Sequence, residues 1–137
     1  MLAAWNSVVA GLPVLLIQLA ATTGLFIVGL ALYVWVTPYR EVKLIRAGNV
    51  AAAITLSGQM LALAIPLGAM LAHSVNLPDV LLWGGVTLVL QLIAFGVVAL
   101  IVRDLPAAIE RGDIAPALML ATAQIVAGLF NAAAMSG

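Results

Sequence analysis

The chain has 137 residues, of which 66% are hydrophobic and 7% charged, with a formal net charge of zero and a mean hydropathy of +1.27. A soluble domain carries about 25% charged residues, so this composition cannot furnish a water-facing surface and the chain's solvent must be lipid. Zero net charge excludes a basic field for nucleic acid, and the lack of Cys removes disulfides, thiolate nucleophiles and cysteine-based metal sites.

The opening stretch, MLAAWNSVVAGLP, contains no Lys or Arg. It lacks the positive n-region of a cleavable signal peptide, and the first apolar segment is expected to stay in the mature protein. Four apolar runs follow, at about residues 14–36, 50–72, 80–102 and 114–135. Each is near the ~20 residues with which a helix crosses ~30 Å of hydrocarbon. Strands are disfavoured, because lipid forbids open sheet edges and the runs lack barrel-type alternation. The expected fold is an all-α membrane protein with four transmembrane helices, forming one integral membrane domain over residues 1–137.

Helix ends are marked by residues with local chemistry. Pro13 is expected in the first turn of the first span, where its missing N–H costs nothing. Asn49 and Asp113 each follow a Gly and precede an apolar run, where a short polar side chain caps free N–H groups. Pro116 then falls in the first turn of the last span. Asn76 and Asp79 have the spacing of a capping box, with Asp in place of Glu or Gln. Gly48 and Gly112 suit the reversal before each cap.

The segment GNVAAAITLSGQMLALAIPLGAM at residues 48–70 returns in altered form as GDIAPALMLATAQIVAGLFNAAAM at residues 112–135. This similarity implies two tandem two-helix repeats, at about residues 12–72 and 77–135. A repeat with an even number of spans re-enters the membrane in the same direction, so a pseudo-two-fold axis along the membrane normal is expected. Arg40, Lys43 and Arg46 lie between the first and second spans, and Arg103 and Arg111 between the third and fourth; these are all the Lys and Arg residues. The positive-inside rule makes that face cytoplasmic and both termini periplasmic. Trp5 and Trp83 fall near the expected outer boundary, Trp35 and Tyr39 near the inner one.

Each span carries one glutamine: Gln18, Gln59, Gln91 and Gln124. At 1.5 Å per residue the last three lie near the middle of the membrane. In the fourth span Ala117, Ala121, Gln124, Gly128 and Asn131 share a stripe, as do Gly84, Thr87, Gln91 and Ala94 in the third. Small residues and amides on such a stripe serve as interhelical glue, worth about 0.6 kcal/mol per hydrogen bond. Alternatively Gln59, Gln91, Gln124, Asn131 and Ser57 form a polar core that lines a pathway for a small solute. Pro66 removes one helical hydrogen bond and frees the carbonyl of Ala62.

Acidic, basic and His side chains are absent from the expected hydrocarbon spans, and proton relays and salt-bridged transport sites normally need such groups. Glu41, Asp104, Glu110 and Asp113 are expected to solvate the connectors. His73 stands alone, so no metal ligand set is proposed. No nucleophile–base pattern or phosphate loop is present, so no catalytic residue and no cofactor is assigned and the chain is read as a non-enzyme; a subunit of a membrane enzyme is the residual alternative.

The run Thr37-Pro38, Glu41, Leu44-Ile45, Gly48-Asn49, Ala51 to Ala53, Ser57-Gly58 and Ala64-Ile65-Pro66-Leu67 resembles the bacterial inner-membrane family called domain of unknown function 350. Asp79, Trp83-Gly84, Gln91-Leu92, Phe95, Gly112, Ala115, Ala117 and Asn131-Ala132-Ala133 continue the resemblance across nearly the whole chain. It implies an integral protein of the bacterial inner membrane with four spans in two repeats, and supplies no catalytic residues. Its members accompany envelope-stress and ATP-grasp-type genes, which implies a membrane anchor or partner subunit. Gln59 departs from the pattern, since a smaller residue can occur there in relatives.

The resulting expectation is a four-helix bundle that assembles with itself or with another envelope protein. It would act as a scaffold or accessory subunit through a cytoplasmic contact loop that includes Arg40, Glu41, Lys43 and Arg46. The alternative is a small channel or transporter using the mid-membrane Gln and Asn side chains.

Overall fold

A computed structural model describes all 137 residues. The chain is entirely helical: α1 (Leu2–Val36), α2 (Glu41–Arg46), α3 (Val50–His73), α4 (Leu77–Ile101), α5 (Leu105–Glu110) and α6 (Ile114–Ser136). The four long helices are each long and apolar enough to cross a membrane. In lipid a helix satisfies its backbone groups internally, which is why uninterrupted apolar runs take this form.

α3 is central and touches the other three long helices, while α6 packs on α3 and α4, and α1 on α3 and α4. The α3/α6 contact is backbone-close. A side chain on Gly58 would meet the Cβ of Ala121 at 2.5 Å, and one on Gly128 would meet the carbonyl oxygen of Ala62 at 2.5 Å. Glycine at these two points lets the helices approach, as small residues do in membranes generally. Contacts that pair 58 with 121 and 62 with 128 also mean that α3 and α6 run in the same direction. α1 and α4 run side by side as well, Gly84 lying under the side chain of Leu25 and Gly29 under that of Leu88.

The two connectors lie at one end of the bundle. Asn49 Nδ2 donates to the carbonyl of Ile109 at 2.8 Å, tying the start of α3 to the end of α5. α2 and α5 close in the same way: Asn49 N–H donates to Leu44 at 2.9 Å and Asp113 N–H to Ala108 at 3.0 Å. Gly48 and Gly112 take φ of +87° and +82° in these turns, a conformation that glycine adopts without steric cost.

The caps differ from one another. Asn49 Oδ1 accepts from Ala52 N–H at 3.0 Å, as expected. Asp113 does not cap α6; its carboxylate instead pairs with Arg111 at 3.0 Å, since the neighbouring guanidinium offers a charged donor that the Gly48-Asn49 turn lacks. Asn76 accepts from Asp79 N–H at 3.0 Å, one half of the expected box.

α1 corrects the expectation at Pro13. The helix starts at Leu2, so Pro13 lies inside it and not in its first turn. Residues 2–12 are apolar enough to continue the helix, and proline removes only the hydrogen bond to the Val9 carbonyl. At 35 residues the helix is about 52 Å long, more than the bilayer core requires. Given its register on α4, residues 2–12 extend past the first turn of α4, and all are exposed. Gly29 and Tyr33 are the buried residues of α1.

The interior has three levels. At the connector end Tyr33, Tyr39, Ala51, Ala52, Phe95, Leu105, Ile109, Ala117 and Leu120 form one apolar cluster, in which the Tyr33 and Phe95 rings meet edge-on at 5.2 Å. Toward the opposite end Leu63, Leu67, Met70, Val80 and Leu88 form another. Gln59, Gln91 and Gln124, each 1% exposed, occupy the level between them.

Candidate functional site

The glutamine level is set by helix phase. On α3 the positions Thr55, Gly58, Gln59 and Ala62 face inward, on α4 Thr87, Gln91 and Phe95, and on α6 Ala117, Ala121, Gln124 and Gly128. Gln91 Nε2 donates to the Ala62 carbonyl at 3.1 Å, the acceptor that Pro66 leaves without a helical partner. Gln59 Oε1, Gln91 Oε1 and both amide atoms of Gln124 are buried without a hydrogen bond. Threonines on the same level are satisfied locally: Thr55 Oγ1 donates to Ala52 and Thr87 Oγ1 to Trp83.

The other two residues expected in the polar core lie elsewhere. Asn131 is half-buried toward the opposite end, its Nδ2 unpartnered, beside a cavity of about 410 Å³ that His73 and Asp79 also line. Ser57 is exposed. It stands next to Gly58 in sequence but a full 100° away around the helix, which turns it to lipid. The His73 ring bonds its own helix, Nδ1–H donating to the Ala69 carbonyl at 2.8 Å.

The second polar site lies under the connectors. α2 is amphipathic over six residues: Glu41 is fully buried, Leu44 and Ile45 pack on the connector-end cluster, and Arg40, Lys43 and Arg46 are exposed. Glu41 therefore does not belong to the outward contact loop with the three cations. It is drawn inward because the anchoring residues of α2 recur at three- and four-residue spacing and 41 shares their phase. Tyr39 is also buried, 3% exposed, and so does not join the interfacial aromatics; Trp5, Trp35 and Trp83 are exposed.

The Glu41 carboxyl faces the Tyr33 and Tyr39 hydroxyls, yet none of these oxygens makes a hydrogen bond of good geometry. No cation pairs with it, the ion pair of the chain being Arg111–Asp113. Burial pushes the carboxyl up to about 7, with the two hydroxyls pulling in the opposite direction. Burial, then the Glu41 charge, pushes the Tyr39 phenol up to about 12. Tyr33, Tyr39 and the inward Glu41 were not expected as a group. The signal was the alternation of Glu41, Leu44 and Ile45 with Arg40, Lys43 and Arg46, which marks a two-faced helix.

Beside this site a groove of about 970 Å³ runs between the last third of α1 and α2, with Leu30, Val34 and Trp35 on one wall and Arg40, Lys43 and Arg46 on the other. The arrangement can hold a group that is apolar at one end and anionic at the other.

Four apolar helices around a buried amide level define an integral membrane protein. The chain belongs to the family described as Domain of Unknown Function (DUF350), whose model matches residues 7–135. It is 35% identical over 126 residues to the UPF0719 inner membrane protein YjfL of Escherichia coli (strain K12), an alignment covering 87% of this chain and 96% of that protein. The protein of the same description from Escherichia coli O157:H7 matches equally. No solved structure matches the chain.

Proposed function

We infer that the protein is a non-enzymatic scaffold or accessory subunit of the bacterial inner membrane, assembling with itself or with another envelope protein. In this reading the connectors face the cytoplasm and both termini the periplasm, following the positive-inside rule. The chain is two tandem repeats about a pseudo-two-fold axis along the membrane normal. The matching closure of α2 and α5, and the shared direction of α3 and α6, support that arrangement.

The observation that carries the reading is the closure of the bundle around its amides. Apolar clusters sit on either side of the glutamine level, and α3 and α6 meet at backbone distance there. Such an interior favours holding helices together over passing a solute. The exposed α2 cations, by contrast, have no carboxylate partner within the chain, which suits a contact surface. The test is extraction in mild detergent followed by affinity isolation and mass spectrometry. A second copy or another envelope protein at fixed stoichiometry is expected; a lone monomer throughout would overturn the reading.

The unpartnered amide atoms of Gln59, Gln91 and Gln124 favour a second reading, a small channel or transporter. Under it Gln91→Leu and Gln124→Leu abolish flux in a protein that still folds, Gln91→Leu at some cost in stability.

A further inference from the structure

The groove between α1 and α2 has two walls of opposite chemistry, and their order along the membrane normal is fixed by the fold. Leu30, Val34 and Trp35 lie on the final turns of a membrane-spanning helix. Arg40, Lys43 and Arg46 follow immediately, where the chain leaves the span. Trp35 is 82% exposed, while Leu30 and Val34 are half-buried at the edge of the two core clusters.

The cations are presented together for a structural reason. Burial of Glu41, Leu44 and Ile45 against the bundle turns the opposite face of α2 outward, and three-residue spacing places all three cations on that face. The one carboxylate of α2, Glu41, also borders the groove, as does Tyr39, but it is fully buried, faces Tyr33 and Tyr39 and pairs with none of the cations. None of the three forms an ion pair.

We propose that this groove is a binding site for an anionic phospholipid of the connector-side leaflet, its phosphate held by Arg40, Lys43 and Arg46 and an acyl chain lying along Leu30, Val34 and Trp35. The proposal rests on the reading of the α2 connector as a contact surface and names its partner. Each basic side chain near a membrane surface attracts anionic lipid independently of shape; here an apolar wall continuous with the cations adds a seat for the chain. A soluble acidic protein would complement the cations but would leave the wall, which lies at membrane depth, uncovered. Free phosphate would leave it uncovered too.

The experiment uses the full-length protein with Trp5→Phe and Trp83→Phe, which leaves Trp35 as the sole indole, in phosphatidylcholine vesicles. A minor fraction of the lipid is brominated in its chains, as either phosphatidylglycerol or phosphatidylcholine. Quenching of Trp35 should report an enrichment of the anionic lipid on the order of tenfold over phosphatidylcholine. The preference should vanish in the Arg40→Gln/Lys43→Gln/Arg46→Gln variant and survive in Arg103→Gln/Arg111→Gln. Molar salt on the parent protein should shrink it without any substitution. Equal quenching by the two lipids would overturn the proposal, as would a preference that survives loss of the three cations. The vesicles contain no other protein, so this outcome is independent of whether affinity isolation yields a partner.

Discussion

Gln91 on α4 donates from Nε2 to the carbonyl oxygen of Ala62 on α3 at 3.1 Å, closing the gap that Pro66 opens one turn further along. A proline in a membrane helix leaves an acceptor with no water to turn to, and here a neighbouring helix supplies the donor. The pairing makes Gln91 different in kind from Gln124, whose two amide atoms have no partner.

The two glutamines should therefore respond differently to the same substitution. Gln91→Leu strands a buried carbonyl and is expected to cost about 1–3 kcal/mol, whereas Gln124→Leu removes polar atoms that bond nothing and is expected to be neutral or stabilising. Thermal unfolding in detergent measures both. Equal losses would mean that Gln124 has a hydrogen-bond partner in the folded protein.

The α3/α6 crossing gives a second expectation. Gly128→Ala places a methyl group against the Ala62 carbonyl and Gly58→Ala places one against Ala121, so both should lower the melting temperature, by about 1–3 kcal/mol in stability. Gly96→Ala meets nothing within 4 Å and gains about 0.5–1 kcal/mol of helix propensity. The same detergent melts, run side by side, should put Gly96→Ala above the parent and the other two below it.

Glu41 should make stability depend on pH in the direction opposite to that of a salt-bridged carboxylate. Its folded-state value is raised from 4.5 to about 7, so between these values the folded chain holds the proton more tightly than the unfolded chain does. The Glu41 contribution to stability is then most favourable below about pH 4.5 and is lost as pH rises to about 7. Glu41→Gln should flatten this slope and melt higher than the parent at pH 8. A parent protein that gains stability as pH rises from 5 to 7, with the slope removed by Glu41→Gln, would show that a cation reaches the carboxylate.

The features legible in the sequence were those set by local periodicity. Four apolar runs, the Asn49 cap, the orphan carbonyl at Ala62 and the inward faces of Gln59, Gln91 and Gln124 all follow from helix geometry and from lipid's intolerance of unsatisfied backbone. The misplaced features depend on contacts distant in sequence. A Glu in a six-residue connector is ordinarily solvated, and only the docking of α2 against α3, with Tyr33 and Tyr39 facing the carboxyl, buries Glu41. Ser57 stands two residues from Gln59 in sequence, yet about 200° of helix separates them. Pro13 marked a turn by analogy with first-turn prolines, but the apolar stretch before it supports the helix on its own.

The common side of the two basic connectors is the premise on which the membrane orientation rests. Because the chain has no Cys, Lys43→Cys and Arg111→Cys each introduce a unique thiol, to be probed with a membrane-impermeant maleimide in intact spheroplasts and in inverted inner-membrane vesicles. Both thiols should be protected in spheroplasts and modified in inverted vesicles. Labelling of only one from the periplasmic side would contradict the four-span arrangement proposed for this chain, and labelling of both would contradict its orientation.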